Sequence, residues 1–89
     1  MIIRESVTSS NVVSIGYDAE LRLMEVQFRP SLSGVSKVYV YEHVSENEFA
    51  RIKSAESVGR ALAAIKAYHP AYVVATVDQA GNETRLSFL

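Results

Sequence analysis

The sequence predicts an α+β fold: an antiparallel β-sheet, made of a three-stranded meander plus a C-terminal hairpin, packed with two short helices. Three observations carry that prediction. Stretches 12–17, 21–29 and 36–42 alternate side chains with the period of a strand. Ser45-Glu46-Asn47-Glu48 has the form of a helix start. Pro70 closes a helical run, and two strand-like stretches follow it around the turn residues Asp78-Gln79-Ala80-Gly81-Asn82.

Residues 1–10 end in the turn-rich run Thr8-Ser9-Ser10-Asn11, and Ile2 and Ile3 are candidates for an edge strand or for docking on the core. In the first strand, 12–17, Val13, Ile15 and Tyr17 share a face, and Gly16 signals a bulge or a close backbone approach. Asp18-Ala19-Glu20 reads as a tight connection. In the second strand, 21–29, Met24, Val26 and Phe28 lie on one face, with Glu25, Gln27 and Arg29 on the other. Leu21 and Leu23 fall on the polar face, so that end is either covered by the chain itself or offered to a partner. Pro30 to Gly34 is a loop. In the third strand, 36–42, Val38 and Val40 take one face, while Tyr39 and Tyr41 take the other.

The helix start is signposted three ways. Ser45 and Glu48 can exchange capping-box hydrogen bonds, and Val44 and Phe49 can form a hydrophobic staple. Glu46 and Glu48 also suit the positive end of the helix dipole. The first helix is expected over 46–55, with Phe49, Ile52 and Ala55 inward. Ser57 caps a second helix running to about Tyr68, with Val58, Leu62 and Ile65 at helical spacing. Strands are then expected at 71–77 and 83–89.

At 89 residues the chain is one domain, 1–89, with no repeat or linker. Hydrophobic residues make up 48%, enough for one compact core. There is no cysteine, which excludes disulfides, thiolate metal sites and a cysteine nucleophile. His43 and His69 have no metal-ligand spacing, and no nucleophile elbow is visible. No metal, cofactor or catalytic group is therefore expected. The net charge of −1 argues against a generic duplex-DNA binder, although a local basic patch remains compatible. No apolar stretch approaches the roughly 20 residues that span a bilayer, and the N-terminus has no signal-peptide pattern. The expected location is intracellular, in the cytoplasm.

Four pieces in order resemble the KTSC domain family over roughly Val7–Pro70. They are Ser9-Ser10-Asn11 leading into Ile15-Gly16-Tyr17-Asp18; Met24-Glu25-Val26-Gln27-Phe28; Tyr39-Val40-Tyr41; and Ser57-Val58-Gly59 followed by Ile65 and Tyr68. That family includes the C-terminal domain of some lysyl-tRNA synthetases and stand-alone small proteins of bacteria and phages. The loop at 30–36 is longer than the family pattern, His43-Val44-Ser45 stands where the family more often has Val-Pro, and the hairpin 71–89 lies beyond the usual domain. Through the synthetase context the resemblance implies RNA binding.

The residues point to two sites. Tyr39 and Tyr41 are either a stacking platform for bases or packing beneath the helices. Ser57, Gly59 and Arg60 at the start of the second helix are either an anion site or a helix cap and tight joint. Arg51, Lys53, Arg60 and Lys66 read as a surface neutralised by Glu48 and Glu56. The expected function is a non-catalytic binding module for RNA or a nucleotide, using Tyr39, Tyr41, Ser57, Gly59 and Arg60. The alternative is a small protein-interaction module, for example a phage protein engaging a host factor. A hydrolase or transferase would need a pocket holding a perturbed acid or base. Leu21, Leu23, Tyr72 and Val74 suggest a homodimer that buries the second face of the sheet.

Overall fold

A computed structural model describes residues 2–86. The chain runs β1 (Glu5–Ser6), β2 (Val12–Asp18), β3 (Leu23–Phe28), β4 (Ser36–Tyr41), α1 (Glu46–Ser54), α2 (Val58–Lys66), β5 (Ala71–Val77) and β6 (Glu83–Arg85). The strands form one antiparallel sheet in the order β1-β2-β3-β4-β5-β6, so every neighbour in space is a neighbour in sequence. This is the predicted α+β fold, with the C-terminal hairpin continuing the meander. The final strand is shorter than expected, and residues 87–89 of that expectation lie outside the described residues.

The local chemistry explains the boundaries. Asp18 accepts the Leu21 backbone N–H across the β2–β3 turn, and Arg22 completes it at φ 55°. Leu21 belongs to this turn and not to the strand, which is why it remains exposed. At the end of β4, His43 takes φ 61°, in the left-handed region, and turns the chain into α1. Both halves of the capping box form: Glu48 N–H donates to Ser45 Oγ at 3.1 Å, and Ser45 N–H donates to Glu48 Oε1 at 2.9 Å.

One face of the sheet carries the helices. Tyr41 pairs with Met24 and Tyr39 with Val26, which in turn faces Ile15, so these side chains share that face. They pack with Val12, Val44, Ile52, Val58 and Leu62 into the main apolar cluster. Burying a side chain such as Ile52 or Leu62 stabilises the fold by about 1.5–3 kcal/mol. Tyr17 and Phe49 stack at 4.9 Å, and Tyr17 donates its hydroxyl to the Val44 carbonyl, tying β2 to the start of α1.

The second face is closed differently. Glu25 is buried there beside Ser14, and its carboxylate accepts from Arg4 at 2.8 Å and from Arg85 at 3.0 Å. Arg4 also donates to Ser14 and Glu83. Arg4 precedes one edge strand while Glu83 begins the other. Their direct contact requires a strongly curled sheet. Val38, Val40 and Ala75 are buried on this face, outside the helix-side cluster. The N-terminal segment crosses Gly16 so closely that a Cβ there would lie 2.4 Å from the Ile3 carbonyl oxygen. A single chain therefore buries much of the face that the sequence reading gave to a second copy. Of the four residues behind that expectation, Leu21 and Tyr72 are exposed and Leu23 and Val74 half-buried.

Candidate functional site

A groove of about 480 Å³ opens beside the C-terminal end of α2. Its lining includes Phe28, Tyr39 and Tyr41 from the helix-bearing face, with Arg29, Lys37 and Lys66 as its cations and no acidic residue. The strand period explains half of this set. Lys37, Tyr39 and Tyr41 alternate along β4 and point to the same side. Lys66 is the last residue of α2, and its ammonium lies 5.9 Å from the Phe28 ring centroid, within cation–π range.

Arg29 arrives for a different reason. The sequence reading put it on the polar face of the second strand. The ladder ends at Phe28, just before Pro30, and Arg29 lies beyond the strand period. Its backbone N–H donates to Asn11, and its guanidinium donates to the Ser9 carbonyl at 3.1 Å, which holds it at the groove. Among the described residues no carboxylate forms an ion pair with Arg29, Lys37 or Lys66. Concentrating three such cations around one opening, in a chain of net charge −1, favours an anionic ligand there.

The two tyrosines differ. Tyr41 is 2% exposed, and burial pushes its phenol above the ordinary tyrosine value, with Tyr39 adding to the shift. It is floor. Tyr39 is half-buried and meets Phe28 edge to face at 5.5 Å. Its ring is the more accessible of the two.

Ser57, Gly59 and Arg60 lie at the opposite end of α2, about 10 Å from Lys66 at 1.5 Å per residue. Ser57 caps the helix by accepting the Arg60 N–H at 3.3 Å. A Cβ on Gly59 would make ordinary contact, 3.5 Å from the Asn11 side-chain nitrogen, so that glycine is not required for a close approach. The structure thus brings Tyr39 and Tyr41 together and leaves the other three sequence-selected residues outside the groove. Arg29 and Lys37 were absent from the sequence-selected set, and Lys66 appeared in the sequence reading only as part of a neutralised surface. For Lys37 a signal existed, since Lys37-x-Tyr39-x-Tyr41 is a period-two pattern.

The expected neutralising partners also change. Lys53 pairs with Glu5 at 2.6 Å, and Glu48 pairs with His69 at 2.9 Å. His69 has a second acceptor, the Glu42 carbonyl, at its other ring nitrogen, and so joins β4, α1 and the start of β5. The Ser45 backbone N–H, and then His69, hold the Glu48 carboxyl below the usual carboxylate range. No three of His, Cys, Asp and Glu converge into a metal-binding group among the described residues, and no helix there is long and apolar enough to cross a membrane.

Residues 8–66 match the KTSC domain family. A KTSC domain protein from Yersinia pestis has a similar crystal structure, with a TM-score of 0.74 and 33% identity, covering 83% of this chain and 99% of that one. No curated protein matches the sequence. The chain belongs to the KTSC domain family. Arg4, Glu83 and Arg85, which gather around Glu25 on the second face, lie outside the matched segment.

Proposed function

From this membership we propose that the protein is a non-catalytic binding module of the cytoplasm whose ligand is RNA or a nucleotide, held in the groove beside Tyr39. The observation that carries the reading is the lining itself: three aromatic residues, three cations and no acid at one opening. Aromatic rings offer stacking that every base accepts, and Lys and Arg offer charge to phosphate. The groove has the size of an ordinary small-ligand cleft, about 300–1,000 Å³. Relative to the expectation from sequence, the site moves from the start of α2 to its end: Arg29, Lys37 and Lys66 take the role first given to Arg60. Fluorescence anisotropy at low salt tests it. Micromolar binding of labelled RNA or nucleotide supports the reading, and no binding below millimolar concentration removes it.

A second reading concerns protein contacts. Leu21, Tyr72 and Leu86 are 65%, 42% and 43% exposed, on or beside the second face and its hairpin edge. They favour a homodimer over that end of the sheet, leaving the groove open. Light scattering at micromolar concentration decides it: a dimer mass supports the contact, and a monomer mass sinks it.

A further inference from the structure

Resting on the groove reading, we infer that the ligand is a single-stranded nucleic-acid segment that inserts one base against Tyr39 and lays its backbone across Arg29, Lys37 and Lys66. Three features narrow the ligand to this. Tyr41 is too buried to share a base, so β4 offers one accessible tyrosine ring and not a platform of two. That ring stands inside a concavity, beside Phe28. A base within a duplex has both faces covered by its neighbours and cannot enter, whereas an unpaired base can.

The cations decide between a strand and a lone nucleotide. They come from three separate places: just after β3, on β4, and at the end of α2. Arg29 is anchored toward the Ser9 carbonyl, while the Lys66 ammonium lies over Phe28. Three cations line the one opening, whereas a mononucleotide brings a single phosphate and a strand brings one per nucleotide. A short backbone passing the opening meets all three.

The test uses the full chain and three labelled or titrated probes: a single-stranded hexanucleotide of RNA, a blunt RNA duplex, and adenosine monophosphate. The hexanucleotide is expected to bind at least about tenfold tighter than either other probe. The logarithm of its binding constant should fall with the logarithm of salt at a slope near −2, from about 0.7 per phosphate for three phosphates. Lys66→Ala, on an exposed position, should lower that slope by about 0.7 without altering the melting temperature. Tyr39→Phe should retain binding, and Tyr39→Ala should lose about tenfold or more. Equal affinity for duplex and single strand overturns the inserted base but leaves the groove reading standing. Equal affinity for adenosine monophosphate overturns the strand. A slope unchanged by Lys66→Ala moves the phosphates elsewhere and overturns the assigned path. Binding to none of the probes overturns the groove reading as well.

Discussion

The two faces of the sheet are buried by opposite means. The helix-bearing face is closed by Ile52, Val58 and Leu62 against Ile15, Met24, Val26 and Tyr41, where water is displaced by apolar packing. The other face is closed by arginines from both margins of the sheet, which converge on the buried carboxylate of Glu25. The difference teaches that a small α+β domain can shield a second sheet face without another layer. It needs edges that curl far enough to meet. Such a closure is directional, because each guanidinium must reach its oxygens. The apolar face only has to exclude water.

The comparison breaks most visibly on the apolar side. Leu62→Ala leaves a cavity beneath α2 and is expected to cost about 3–4 kcal/mol in chemical denaturation. Arg4→Ala with Arg85→Ala leaves Glu25 buried and unpaired. The expected cost is about 2–3 kcal/mol, below the range for a fully enclosed pair because Arg85 retains 38% exposure. If the ionic closure serves position more than stability, an Arg4→Met, Glu25→Leu, Arg85→Met variant should equal the parent in melting temperature. A loss equal to that of the double alanine variant would show instead that the charges themselves hold the face.

Smaller effects sharpen the contrast at α1. Ser45→Ala removes one half of the capping box and should cost about 1 kcal/mol. The folded pKa of Glu48 lies below its unfolded value, so its contribution is present above the unfolded carboxylate range. It should disappear as pH falls through the lowered folded value. In Glu48→Gln the loss of stability on acidification should be correspondingly shallower, measured by thermal melts between neutral and acid pH. Smallest of all is Lys53→Ala: its pair with Glu5 is exposed on both sides, and the melting temperature should stay within error.

Parts of this architecture are written in short-range sequence chemistry. The capping box at Ser45, the apolar spacing Val58-Leu62-Ile65 and the strand alternation act within one turn or one strand, so adjacent residues suffice to reveal them. Alternation also placed Tyr39 and Tyr41 together. It did not reveal which ring would be covered, because that depends on helices arriving from later in the chain. Arg29 illustrates another limit. Once the ladder stops at Phe28, alternation no longer tells where the next side chain points.

By itself, the sequence determined the fold class, the start of α1 and the family resemblance, because each depends on residues a few positions apart. Only the tertiary structure decided the rest. It set Lys66 over Phe28 at the groove that Lys37 also lines, turned Ser57 and Gly59 away to the far end of α2, and brought Arg4 against Glu83. Those meetings depend on the crossing of α2 over the sheet and on the sheet's accumulated curl. Both emerge only when all the strands are in register, and no local pattern encodes them.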